Sequence, residues 1–312
     1  MRKIITVALN PAMDKTIKID NLQLGRVNRI SEIRYDIGGK GINVSELLMA
    51  FGIKSIVTGF LGGYYSDQFK TQLMKKGIET KFFKVLENTR VNTKIIDTAT
   101  GVCTDINEPG PHVPEEVFER FLQSFTLMCK KDDIVVLTGG VSPSIPTDVY
   151  ATLTRIAKSK GAFVILDADG DLLKQGVTAG PDIIKPNQHE FCQLEGKENL
   201  TQDEILELSK TLRANGVGKI LLSLGSKGAM YITKGGIYYA PSVKVDVISP
   251  VGAGDAMVAS LIHSKLQGLD DEQTLRYAVA CGAATVTLEG TQICSVRQVT
   301  KLLQKVKIHT IR

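Results

Sequence analysis

From about residue 130 the chain alternates short apolar runs with longer stretches of helical spacing, and this rhythm restricts the fold more than any other feature. DIVVLTGG (133–140) is an apolar run closing on glycines, and VYATLTRIAKSKG (149–161) is spaced as a helix and stops at Gly161. FVILDAD (163–169) is a second apolar run that ends in acids. DIIKPNQHEFCQLEG (182–196) reads as a strand, a proline break and a helix. EILELSKTLRANGV (204–217) is helical, and KILLSLGSKGAMYI (219–232) is strand, glycine turn and strand. AMVASLIHSKLQG (256–268) and TLRYAVACGAATVTLEG (274–290) are apolar-rich helices. Apolar runs bounded by Gly or Pro are strands buried on both faces, and their alternation with helices makes a mostly parallel sheet with helices on both sides. The expected class is therefore α/β. Ligands of such sheets bind beyond the carboxyl ends of the strands.

The first third is different. IITVAL (4–9) is a short buried strand ending at Asn10-Pro11. TIKID (16–20), RISEIRYDIG (29–38), VNTKIID (91–97) and CTDIN (103–107) alternate polar and apolar residues, the pattern of half-exposed strands in a small sheet outside the main core. GKGINVSELLMAFG (39–52) starts at glycines, continues at helical spacing and ends at Gly52. No repeat, low-complexity tract or composition break marks a linker, so residues 1–312 are read as a single domain.

Composition removes several functional classes. Hydrophobic residues make up 43% and charged residues 23%, values of a chain with a real core. The net charge of +5 is spread without a block, which suits an anionic ligand and equally suits a solvated basic surface. Trp is absent and no basic-aromatic motif occurs, so a nucleic-acid partner is not expected. No stretch is apolar for long enough to span a bilayer, and a membrane partner is not expected either. Cys103, Cys129, Cys192, Cys281 and Cys294 form no CxxC pair, and their odd number fits reduced thiols in the cytoplasm. The four histidines make no metal pattern.

Six stretches could carry chemistry. In GGKGIN (38–43) glycines ahead of a helix let backbone N–H groups approach an anion, with Lys40 adding charge; a tight strand-to-helix turn explains them equally. GAGD (252–255) can form a nest of amides ahead of a helix beginning near Ala256. Asp255 there is either that helix's cap, worth roughly 1 kcal/mol, or a base beside a transferring group. KPNQHE (185–190) puts Asn187 and Glu190 on one face of a helix start, as an oxygen-ligand set for Mg²⁺ or as a capping box. TRVNTKI (89–95) offers Arg90 and Asn92 on one side of a strand, where an Arg grips phosphate bidentately or is simply solvated. Asp14, just past the first strand, is a ligand-facing acid or a turn former. LSLGSKGA (222–229), with CGAAT (281–285), is small enough to flank a flat ring, though hairpin geometry alone also accounts for it.

In combination these stretches resemble the PfkB (ribokinase-like) family of sugar kinases. GGKGINV is similar to the family's N-terminal signature and VGAGDAMVA to its C-terminal one. KPNQHE, LSLGSKGA and NPAMD agree in type and order, so the likeness runs from residue 6 to about 290. The resemblance implies a ribokinase-like central sheet and a β-sheet lid at roughly 12–36 and 88–108. It implies transfer of the γ-phosphoryl of ATP to a sugar hydroxyl, with Mg²⁺. Asp255 would be the base, and the amides of Gly252, Ala253 and Gly254 would stabilise the moving phosphoryl. Asn187 and Glu190 would organise Mg²⁺ through water. Lys185, Asn187, Ser223, Gly225, Ser226, Gly228 and Gly254 would line the ATP side. Asp14, Gly38, Gly39 and Asn43 would hold the sugar. Lys40, Arg90, and Asn92 or Lys94 would meet a phosphate already on the substrate, with Arg29 a further candidate.

Within the family the chain most resembles 1-phosphofructokinases and tagatose-6-phosphate kinases, and TRVNTKI with DINEPGP leans to the former. A 6-phosphofructokinase activity of the same family is a further alternative. The resemblance also implies a homodimer through the lid. Two departures stand out. Pro250 replaces a common Thr, which removes a hydroxyl and fixes φ, and TGGVSPSIP stands where relatives read SGSxP. They motivate a different class, a sugar-phosphate sensor without turnover. GFLGG (59–63) motivates a third, a nicotinamide dehydrogenase, although no GxGxxG follows the first strand.

Overall fold

A computed structural model describes residues 2–290 and 292–311. The chain opens with β1 (Ile4–Ala8), β2 (Ala12–Ile19), β3 (Ile30–Gly38) and α1 (Lys40–Ala50). β4 (Ile56–Gly62), α2 (Ser66–Lys75), β5 (Glu79–Val85), β6 (Arg90–Asp97), β7 (Cys103–Asn107) and α3 (Glu115–Met128) follow. The alternating part comprises β8 (Ile134–Thr138), α4 (Val149–Ser159), β9 (Phe163–Asp167), α5 (Gly170–Gly176), β10 (Ile183–Ile184), α6 (Gln188–Gln193), α7 (Gln202–Ala214) and β11 (Lys219–Ser223). The chain ends with β12 (Ala229–Ile232), β13 (Ile237–Ala240), α8 (Ala253–Gln267), α9 (Asp271–Thr285), α10 (Val296–Leu303) and β14 (His309–Ile311).

Among the described residues ten strands form the main sheet, in the order β14-β13-β12-β11-β10-β9-β8-β1-β4-β5. From β5 to β11 every neighbour is parallel. β12, β13 and β14 extend one edge antiparallel. Successive residues of each strand point to opposite faces. Ile5, Val7, Val135 and Leu137 therefore join one core with Phe121 and Phe125 of α3 and Leu212 of α7. Ile4, Ile134 and Val136 join another with Leu47 of α1, Ile262 of α8 and Leu275 of α9. Both faces are covered, as the run of apolar strands demands.

A second sheet has the order β3-β2-β6-β7, the four segments expected from their alternation. Register aligns Asp14 with Asp36 and Asn92, and Asn92 with Asn107. The next row on that face is Arg34, Thr16, Lys94 and Asp105.

β4, α2, β5, α3, α5, β13, α10 and β14 go beyond the expected elements, and α9 stops at Thr285, short of the expected residue 290. GFLGG is no dinucleotide loop. Gly59 sits inside β4 with φ 145, where an added Cβ would lie 1.9 Å from the Ala8 carbonyl oxygen, so its glycine serves the contact with β1. Strands step outward in one direction from β1 to β4 and β5, and in the other from β8 to β11. The crevice between β1 and β8 is thus the switch point where such sheets bind ligands. No helix of the described residues is long and apolar enough to cross a membrane.

Candidate active site

Two clefts meet beyond the carboxyl ends of β9, β10 and β11. One, of about 390 Å³, runs under the small sheet. The other, of about 500 Å³, lies between the β11–β12 turn and α8–α9. Asn187, Ser223 and Gly254 line both. Asp255 lies on the first cleft.

Asp255 is not the cap of its helix, contrary to one expectation from the sequence. α8 begins at Ala253, and its N-cap is Gly252 in the left-handed region at φ 80, a conformation that costs glycine little. Asp255 is the third helical residue. The first helical N–H bonded within α8 is that of Ala256, to the Gly252 carbonyl at 2.9 Å. The amides ahead of it have no intrahelical acceptor, and they carry the positive end of the helix dipole. Asp255 is 5% exposed and accepts one hydrogen bond, from Asn43 Nδ2 at 2.8 Å. Burial, reinforced by the charge of Asp167, pushes its carboxyl up to about 7, with Asn43, Lys40 and Lys185 offsetting part of the rise. A carboxyl with that value is half ionised at neutral pH, the condition for a general base.

Asp167, the last residue of β9, was not among the residues singled out from the sequence. It is 1% exposed, with Lys185 Nζ 2.9 Å from one oxygen and Lys40 Nζ 3.9 Å from the other. Thr138 Oγ1 donates to it at 3.0 Å. Burial alone would raise its pKa; Lys185 and Lys40 overcome this and hold it below the usual carboxylate range. Asp167 in turn raises the pKa of Lys40. The signal in the sequence was FVILDAD, an apolar strand ending in acids at the ligand-binding end of the sheet.

At the small-sheet end of the first cleft, Asp14 accepts from Asn92 Nδ2 at 3.2 Å, and burial raises its pKa. Gly39, Lys40, Asn43, Arg90 and Asn92 line the same cleft. Gly38 does not line it. A Cβ there would stand 2.1 Å from Asp14 Oδ2, so Gly38 makes room for the acid. Arg90 is partly committed, donating to the carbonyls of Asn10 and Glu108 at 3.2 Å each. Lys94, on the same face of β6, is 3.7 Å from Asp105. Arg29 is exposed, lies on neither cleft, and is not brought to the site.

Asn187 and Glu190 do form a capping box. Asn187 Oδ1 accepts from the Glu190 N–H and Glu190 Oε2 from the Asn187 N–H, both at 2.8 Å. Both also line the transfer cleft, so the cap does not remove them from the site. Ser223, Gly225, Ser226, Gly228 and Ala253 line the second cleft, as does Pro250.

Residues 7–298 match the profile of the pfkB family carbohydrate kinase. A 1-phosphofructokinase of Bacillus subtilis (strain 168) is 34% identical over 305 residues, which span 98% of this chain and 99% of that one. A 1-phosphofructokinase of Haemophilus influenzae is 32% identical over 312 residues, 100% and 99% of the two chains. Phosphofructokinase-2 from Escherichia coli, in a crystal structure with potassium, superposes with a TM-score of 0.92 at 24% identity, covering 98% of this chain and 99% of that one. This last likeness speaks to the fold. With the buried acid, the amide nest and the paired clefts in place, and with the family profile matched along almost its whole length, the chain belongs to the pfkB family of carbohydrate kinases.

Proposed function

We propose that this protein transfers the terminal phosphoryl group of ATP to the free primary hydroxyl of fructose 1-phosphate, giving fructose 1,6-bisphosphate and ADP. The observation that carries the reading is Asp255: a buried carboxyl near pKa 7 at the mouth of an amide nest, where a polar cleft meets an apolar one. Names of relatives at 34% and 32% identity support the choice of sugar.

The steps follow from the groups present. ATP lies in the second cleft with its phosphates toward Asn187 and Gly254. The sugar lies under the small sheet, its ring hydroxyls on Asp14, Asn92 and Asn43. Lys94 and Arg90 face its resident phosphate. Asp255 takes the proton of the attacking hydroxyl as that oxygen bonds to the γ-phosphorus and the bond to ADP breaks. The N–H groups of Gly252, Ala253 and Gly254, with Lys40 and Lys185, meet the charge spreading over the transferring oxygens. The small sheet acts as a lid that keeps water from the phosphoryl group.

The donor set fits Mg²⁺ through water. Among the described residues no three of His, Cys, Asp and Glu cluster as a metal site. The Asn187 side-chain oxygen and Glu190 Oε2 each accept one hydrogen bond in the capping box, and Glu190 Oε1 is outside it. Mg²⁺ keeps several waters and often uses one carboxylate with substrate phosphates, so Glu190 would hold it through water. When bound, the ion neutralises charge on the nucleotide's phosphates.

A coupled ADP-release assay on fructose 1-phosphate, tagatose 6-phosphate and fructose 6-phosphate tests the reading. We expect fructose 1-phosphate to lead in kcat/KM by at least about tenfold, since that ratio reports differential transition-state binding. Another phosphosugar in the lead would reassign the substrate. Sugar binding without ADP release from any of the three would identify a sensor instead.

A further inference from the structure

The nucleotide cleft carries its polar side chains at one end and at its exposed rim, where Ser226, Ser242 and Lys244 stand. Asn187, Ser223 and Gly254, shared with the transfer cleft, mark the phosphate end. Away from it the walls are Val243, Val245, Met257, Val279, Ala283 and Val286. Apart from Asn187, no carboxylate or carboxamide side chain among the described residues lines this cleft. Ser242 stands at the rim with its one hydroxyl proton donated to the Ser226 carbonyl, so it offers a base no donor. The loop over the cleft is tied down by its own backbone. The N–H groups of Ile248 and Ser249 donate to the Val286 carbonyl at 2.8 and 3.2 Å, so these three groups are not free to pair with a base. Lys244, exposed at the rim, is a donor that any purine oxygen or ring nitrogen can meet.

Sites that pair hydrogen bonds with a substrate reject analogues by about 10⁴ or more, whereas apolar slots discriminate by only about 10–200-fold. A slot of valines grips the two faces of a flat ring and leaves its edge unread. Resting on the kinase reading above, we infer that the phosphoryl donor is a purine nucleoside triphosphate as a class. The amino and oxo substituents that distinguish adenine, hypoxanthine and guanine go unrecognised. Affinity comes from the phosphate end and from stacking area.

The test has two arms on the full chain. One is kcat/KM for ATP, ITP and GTP at saturating fructose 1-phosphate. The other, independent of any sugar, is the Kd of ADP, IDP and GDP by titration calorimetry. We expect the members of each series to agree within about 200-fold, the upper range of a site that reads shape alone. A preference for adenine above that factor in either arm overturns the inference. Equal binding of the three diphosphates, with no phosphosugar turned over by any donor, would sink the kinase reading and leave base tolerance standing.

Discussion

At the scale of single residues, the molecule places one acid where ionisation costs it most. Asp255→Asn keeps the shape and removes the proton acceptor. We expect kcat to fall by about 10³ or more, with the Kd of ADP unchanged within about twofold. In the wild type, kcat/KM should fall about tenfold per pH unit below about 7 as Asp255 takes up its proton. A flat profile between pH 5 and 7 would remove Asp255 from the base role. Stability runs the other way. The folded pKa is raised from 3.8 to about 7, so the folded state holds this proton more tightly than the unfolded chain. Any stability it gives is full below the unfolded value and is lost as pH rises through about 7. Asp255→Asn should therefore melt at least about 2 °C above wild type at pH 8, and this gain should vanish near pH 4. Gly38→Ala works through a neighbour. Its methyl meets Asp14 Oδ2 at 2.1 Å, so Asp14 must turn. Sugar KM should rise more than tenfold while the Kd of ADP holds, because Gly38 touches only the sugar side.

At the scale of elements, legibility in the sequence followed the length and regularity of each pattern. β8, β9 and α4 were plain because the apolar runs are continuous and glycines close them. The small sheet was plain because polar and apolar residues intermix at short spacing along β2, β3, β6 and β7, as in TIKI and RVN, rather than running on as they do in β8 and β9. β4 was obscured by Gly59, whose reason is a neighbour's carbonyl rather than a turn. α3 carries Val117, Phe121, Phe125 and Met128 at helical spacing, a signal present but preceded by the proline-rich PGPHVP. The boundary of α8 was misplaced because the left-handed φ of Gly252 starts the helix earlier than the apolar run does. That shift is what turns Asp255 from a cap into a buried group inside the first turn. Asp167 was missed because its role depends on Lys40 and Lys185, which are far from it in sequence. At Asn187 and Glu190 the capping box lies on the wall of the first cleft, and a substitution separates capping from the proposed hold on Mg²⁺. Glu190→Gln preserves the capping box, since Gln serves at that position too, so stability should hold within about 0.5 kcal/mol. The Mg²⁺ concentration for half-maximal rate should rise at least about tenfold. An unchanged Mg²⁺ requirement would make Glu190 a cap and nothing more.

At the scale of the whole molecule, the small sheet has two unlike faces. One carries Asp14 and Asn92 into the cleft proposed for the sugar, and Thr16, Arg34 and Lys94 into a smaller pocket beside it. The other carries Ile33, Tyr35 and Ile106, which are 45%, 43% and 56% exposed. A four-stranded sheet with apolar side chains turned outward and open edges at β3 and β7 is a surface that single chains seldom leave bare. A second copy of the chain would cover it, and the partner would stiffen the lid over the sugar without touching the nucleotide. Sedimentation at micromolar concentration should then give a dimer for the wild type. Ile33→Asp combined with Tyr35→Asp should give a monomer, because two carboxylates cannot be buried against an apolar face without partners. The monomer should fold to the same secondary structure but melt below the wild type at micromolar concentration, because it loses the stabilisation a partner gives the folded state. Its sugar KM should rise several-fold while the Kd of ADP stays put, since only the lid has lost its support. A wild-type monomer, or a doubly substituted chain that still dimerises, would show that the outer face of the small sheet is not where copies meet, and that the lid must hold its position over the sugar by its own hydrogen-bonded register with the strands beside it.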